Sequence, residues 1–221
     1  NVEKYGGGIL YTWFDRPLSM SGRVMLDSGD AMNPEMRVFD LKKGVALIPH
    51  LAIHFNRSVN EGNPLSVQND MKPVIGFFSP EEIEEAKKRG GVVKMMVASE
   101  LGIKPEEIID YEICLYPMEQ AGLCGAKGEY FQSARIDDLS MAFAGLEALL
   151  ATASEDCADT RMLAVFDNEE TGSGTKQGAA SPVARNIMER VCANLGGTRE
   201  GFFRSVANTF MISADDAHAW H

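Results

Sequence analysis

No stretch of this sequence approaches the roughly 18 consecutive apolar residues that a membrane-spanning helix needs, so no membrane segment or membrane partner is expected. No secretory signal is visible either, since the first residues, Asn1-Val2-Glu3-Lys4, are polar and charged. Basic residues are the minority, 21 Lys and Arg against 32 Asp and Glu, for a formal net charge of −11. A nucleic-acid backbone is bound by a basic surface, so the charge argues against nucleic acid as a partner, and none is expected. The four cysteines, Cys114, Cys124, Cys157 and Cys192, form no C-x-x-C pair. Neither a zinc ribbon nor a redox dithiol is signalled, and a reduced, cytoplasmic setting is the simplest reading. There is no G-x-G-x-x-G fingerprint, no internal repeat and no low-complexity tract. What remains, 45% hydrophobic and 24% charged residues over 221 positions, is enough to bury a core in one large domain or two smaller ones.

The most informative stretch that is present is 161–173, RMLAVFDNEETGS. The apolar run 162–166 predicts a buried strand. It breaks into Asp167-Asn168-Glu169-Glu170 and a Gly/Ser turn. Ligands collect outside the carboxyl ends of strands in an open α/β sheet, and carboxylates there are costly unless a metal, a proton or a cation compensates them. Two similar clusters stand elsewhere: Asp137 and Asp138 ahead of a helix, and Asp215 and Asp216 after a second apolar run, with His218 close by. Carboxylates suit a pair of divalent metals. Two such ions, about 3.5–4 Å apart in co-catalytic sites, repel each other unless an acid bridges them, and together they bring the pKa of bound water toward about 7. In a turn, adjacent side chains diverge, so one of Glu169 and Glu170 could ligate while the other faces the water. Taken singly, the clusters have plainer readings: a Glu-Glu pair is usually solvated surface, and Asp137 could cap its helix. Pattern alone therefore supports a metallohydrolase only as one alternative.

Along the rest of the chain, residues 5–16, YGGGILYTWFDR, set three glycines before a strand-like run. Adjacent glycines permit unusual backbone angles or the close approach of another segment; a flexible turn is the plainer reading. Short strands are expected at 23–27, 36–40 and 45–48, the spacing of a small β-rich module. His50 and His54 would share one face of a helix. The zincin motif needs Glu after the first His, and Leu51 stands there. Packing or a surface cap suits these histidines as well as a ligand or substrate role. Residues 60–74 read as a loop. Ser79-Pro80-Glu81-Glu82 announces a capped helix, broken at Gly90-Gly91 and resumed to Gly102, followed by a strand at 108–115. Residues 118–132 read as a Gly-rich loop. Apolar positions 139, 142, 143, 146, 149 and 150 predict one helix face. Another helix opens at Ser181-Pro182 and stops at Gly196-Gly197, and 209–213 reads as a second buried strand. The expected fold class is α/β: a partial catalytic domain with a mixed sheet flanked by helices, plus a β-rich α+β domain.

Five segments, YGGGILYTWFDRPLSMSGRV, LIPHLAIHFNRSVNEG, ARIDDL, FDNEETGS with Gln177-Gly178-Ala179, and FMISADDAHAWH, together resemble the aspartyl aminopeptidase family of dizinc metallo-aminopeptidases, in the family's order. The resemblance implies a role for each matching position. Asp137 matches the carboxylate bridging two zinc ions, Glu169 the general base, Glu170 a ligand of one zinc and Asp215 a ligand of the other. His218 matches a substrate contact, and His54 a histidine that reaches into a neighbouring subunit's active site. It further implies peptide substrates with N-terminal Asp or Glu, and self-association into dimers and from those a dodecamer. On this basis residues 1–115 are a dimerisation domain inserted into the catalytic domain, of which 116–221 are part. Neutral or apolar N-termini are an alternative preference, and an assembly module with vestigial acidic clusters an alternative function.

Departures from the family pattern matter. Its His-x-Asp motif ahead of the YGGG segment and its C-terminal ligand His are not in this sequence; His218 and His221 belong to an A-H-x-x-H segment. The chain also lacks an initiator Met. It therefore reads as the middle of a longer protein, and as inactive by itself. Asp138 stands where the family often has Asn, Thr171 where it has an aliphatic residue, and Asp216 where it has Met.

Overall fold

A computed structural model describes residues 1–218. The chain falls into two compact units: residues 1–4 with 8–119, and residues 5–7 with 120–221.

The first unit is built on an antiparallel sheet ordered β2-β1-β3, with β1 (Leu18–Leu26) in the centre, β2 (Glu35–Asp40) on one side and β3 (Ile108–Pro117) on the other. Ser21 pairs with Asp40 and with Cys114, and the β1–β3 register slips by a bulge at Met25/Leu26. Side chains alternate across a strand, so Leu18, Met20, Val24 and Leu26 of β1 enter one core, where Phe39 and Ile108 join them. Each of the three overlaps an expected strand, but β1 begins five residues before the expected 23–27 and ends one residue short of it.

The third predicted strand, 45–48, is reduced to isolated bridges from Ala46 to Leu18, Leu47 to Val74 and Ile48 to Phe14. Its Ala46 and Ile48 are still buried, so the apolar pattern marked core rather than ladder. The strand-like run after the glycines is a 3-10 turn, Leu10–Trp13. Within 60–74 the expected loop contains a 3-10 turn, Val59–Glu61, and one helical turn, α1 (Val67–Asp70).

Helix α2 (Pro80–Lys88) starts as its sequence dictates. Ser79 Oγ accepts from the Glu82 amide, and the Glu82 carboxylate accepts from the Ser79 amide. Helix α3 (Val92–Leu101) stops at Gly102, in the left-handed conformation, and contributes Val97 and Ala98 to the core. Leu18 lies at the centre of that core, fully buried. Leu18→Ala should destabilise this unit by about 2–5 kcal/mol through lost burial and the cavity left behind, read as a lowered midpoint in urea unfolding.

The second unit contains a small hairpin, β4 (Gly122–Cys124) with β5 (Tyr130–Gln132), inside the stretch expected to be loop. Three helices follow: α4 (Ile136–Thr152), α5 (Val183–Asn194) and α6 (Arg199–Asn208). Helix α6 was not anticipated. Thr198 caps it by accepting from the Gly201 amide, and Phe202, beneath the Arg185 guanidinium, is buried.

Two predicted strands, 162–166 and 209–213, join no ladder and form no regular element. A strand exists only where a neighbour takes its hydrogen bonds, and among the described residues none does. Val165, Phe210, Met211 and Ile212 are exposed accordingly, as are Leu139, Phe143, Leu146 and Leu150 along α4. The chain as a whole is mixed α/β, with small sheets flanked by helices.

Candidate metal centre

The acidic positions near residues 137 and 215 meet in space. Asp137, Asp138 and Asp215 each offer a carboxylate oxygen, and these atoms all lie within 4.8 Å of one another. Asp137 and Asp138 precede the regular part of α4: their backbones are non-helical, and the peptide bond between them is cis. No side chain caps this end of the helix, and the residue in the cap position is Arg135. Asp215 arrives on the irregular segment after α6, and its neighbour Asp216 is fixed by Ser140, whose hydroxyl donates to the carboxylate at 2.6 Å.

The electrostatics of this corner are those of uncompensated like charges. The Asp137 carboxyl is held above its ordinary range, first by desolvation, then by a hydrogen bond with Asp215 and by the charges of Asp215, Asp216 and Asp138. Asp138 is raised too, by desolvation and then by Asp215 and Asp216. None of the ion pairs among the described residues involves these four acids. Like carboxylates this close are stable only with a proton or a cation among them. Three converging oxygen donors fit a divalent ion and form part of the four-ligand shell that zinc takes.

Glu169 and Glu170 do not join that group. They sit in a turn of their own, closed by the Gly172 amide donating to the Asn168 carbonyl at 2.8 Å. The loop then folds back on itself. Thr175 donates to Gly172 O, Gly178 to Thr175 O and Ala180 to Ser173 O, while the Asn168 amide donates to Gln177 Oε1. Gly178 is buried against the Ser173 backbone, where a Cβ would collide. The DNEETGS segment is thus a self-bonded loop presenting two exposed carboxylates.

His54 lies in an exposed turn of the first unit and is not helical, so it shares no helix face with His50. His50 packs edge-on against Phe14, with ring centroids 4.8 Å apart, and its amide donates to Asp15 Oδ1. His218 is exposed, and His221 lies outside the described residues. Asp138, which the sequence places in the acidic cluster with Asp137 but to which the family resemblance gives no role, is brought into the group by the fold. Its position beside Asp137 at the start of α4 was the available signal.

Residues 1–221 match a family described as Aminopeptidase I zinc metalloprotease (M18). The chain belongs to that family. It is 45% identical over 222 residues to a probable M18 family aminopeptidase 2 of Clostridium acetobutylicum, covering 100% of this chain and 49% of that protein. It is 42% identical over 221 residues to the protein of the same description from Clostridium novyi, again covering 49% of it. The chain spans about half the length of the curated relatives it matches. Among solved structures, that of the complex of Ape4 and Nbr1 contains a chain that superposes with a TM-score of 0.84 at 32% identity, over 99% of this chain and 44% of that one. Family membership agrees with the acidic donor set. Among the described residues no helix is long and apolar enough to cross a membrane.

Proposed function

We propose that the protein carrying this chain is a zinc aminopeptidase that releases N-terminal residues, preferably Asp or Glu, from peptides in the cytoplasm. The observation that carries this is the convergence of Asp137, Asp138 and Asp215 to within 4.8 Å in a chain of a zinc-metalloprotease family. Asp137, Asp215 and Glu170 are the residues that would hold the zinc, Asp137 in the position that the family resemblance gives to a shared ligand. Bound zinc supplies a Lewis acid that acidifies water and polarises the peptide carbonyl. Glu169, exposed beside Glu170 on the self-bonded loop, takes the proton of the attacking water and delivers it to the leaving amine. His218 contacts the substrate. Residues 1–115 are proposed as the dimerisation domain, which brings His54 to a neighbouring subunit's site and supports assembly toward a dodecamer. The 221 residues alone are proposed to be inactive.

The test is a panel of aminoacyl anilides offered to the protein as its gene encodes it, metal-depleted and then reloaded with zinc. The highest kcat/KM is expected for Asp and Glu. A preference for Leu or Met would replace the acidic preference with a neutral one. Absence of turnover on every substrate with zinc bound would overturn the peptidase assignment.

A further inference from the structure

The three-glycine run, Gly6-Gly7-Gly8, is a sequence motif that the proposed chemistry leaves without a use. We propose that Gly6 is a positioning residue for the Glu169–Glu170 turn. Two independent observations single it out within the run. Its φ is +65°, a left-handed conformation that side chains with a Cβ disfavour. And it lies against Glu170: a Cβ built on Gly6 would stand 2.6 Å from Glu170 Cβ, 2.7 Å from the Glu170 carbonyl oxygen and 3.0 Å from its carbonyl carbon. Backbone is met there as well as side chain, so a swing of a flexible tip cannot relieve the collision. Gly7 and Gly8 meet nothing within 4 Å of such a Cβ.

The point of contact matters chemically. Gly6 touches the root of the Glu170 side chain, not its carboxylate. Displacing Cβ redirects the carboxylate beyond it, and displacing the carbonyl rotates the peptide that follows. The loop's internal hydrogen bonds from residues 168 to 181 fix its own shape. Gly6 adds a contact from a strand of chain far away in sequence, which sets where Glu170, and with it the adjacent Glu169, is held. A misplacement of about 1 Å can cost on the order of a hundredfold in rate, and metal ligands are similarly sensitive to the groups that orient them. The proposal rests on the assignment of Glu170 as a zinc ligand and Glu169 as the base.

The experiment compares Gly6→Ala, Gly6→Asn, Gly7→Ala and Glu170→Gln in the protein as its gene encodes it. Zinc affinity is measured by competition with a chromophoric chelator, kcat and KM on an aminoacyl anilide, and folding by circular dichroism. Asn tolerates the left-handed conformation but still carries a Cβ, so it isolates the contact from the φ requirement. Both Gly6 variants are expected to bind zinc about tenfold or more weakly and to lose about a hundredfold in kcat with KM little changed, while Gly7→Ala matches the parent. Parental zinc affinity and kcat in Gly6→Asn would overturn the proposal. So would failure of both Gly6 variants to fold, which would assign Gly6 to fold maintenance. Retained zinc affinity in Glu170→Gln is a separate result: it overturns the ligand assignment itself, and the proposal with it.

Discussion

Glu169→Gln is expected to lower kcat by about a hundred- to ten-thousandfold, the usual contribution of a general base, with zinc content unchanged. The amide is nearly isosteric and the turn that carries it is closed by backbone, through the Asn168 carbonyl and the Gly172 amide. The substitution therefore removes a proton acceptor without moving its neighbours. An interaction made only in the transition state costs kcat and kcat/KM equally, so KM should stay near the parent value. Glu170→Gln should behave differently, losing zinc first and activity as a consequence. Metal analysis alongside steady-state kinetics separates the two. If Glu169→Gln turned over at the parental rate, or if it rather than Glu170→Gln lost zinc, the roles of the two residues would be wrong or reversed.

This contrast bears on what could be read from the sequence. Local rules were legible wherever their whole mechanism lies within a few residues. The capping box at Ser79 and Glu82, the helix break at Gly90-Gly91 and the stop at Gly102 all stand where the residue types put them. The short runs expected as strands at 23–27, 36–40 and 108–115 overlap β1, β2 and β3, because those strands find each other within the described residues. The runs at 162–166 and 209–213 show the limit of the same reasoning. Their composition is that of buried strands, but burial and pairing belong to the partner as much as to the run. Here neither run joins a ladder, 209–213 is exposed, and 162–166 is only partly covered.

Helix α6 was missed for a different reason. Its first turn contains Gly201, a poor helix former, and the conventional acidic residue three positions after the Thr198 cap is absent. Phe202, Phe203 and Val206 at helical spacing, behind a Thr cap, were the signal that could have found it. At the candidate site, the acidic clusters were legible as clusters. Which of them meet was not, because residues 138 and 215 are brought together by helix packing and loop paths that no local pattern encodes. Asp137, Asp138 and Asp215 converge, while the Glu169–Glu170 loop stands as a separate element whose outside contact, Gly6, comes from the other end of the chain.

Asp137 and Asp138 are neighbours in one acidic group, yet the expected effects of changing them are opposite. Asp137→Ala should abolish stoichiometric zinc binding and reduce hydrolysis to background. Residues that merely orient ligands already cost about 10- to 100-fold in metal affinity, and a bridging carboxylate serves both ions. Asp138→Asn, by contrast, should keep zinc and activity, because Asn is the residue that the family resemblance places there. It should also raise the thermal midpoint of the metal-free protein at low salt, since it removes one charge from a group in which Asp137, Asp215 and Asp216 already repel one another. That gain should shrink as salt screens exposed charges. Zinc analysis after dialysis, activity, and melting of the metal-free protein across a sodium chloride series read all three effects. Equal zinc loss in both variants would make Asp138 a ligand in its own right. Undiminished zinc in Asp137→Ala would remove the bridge from the centre, and with it the account of why these carboxylates are gathered at the start of α4.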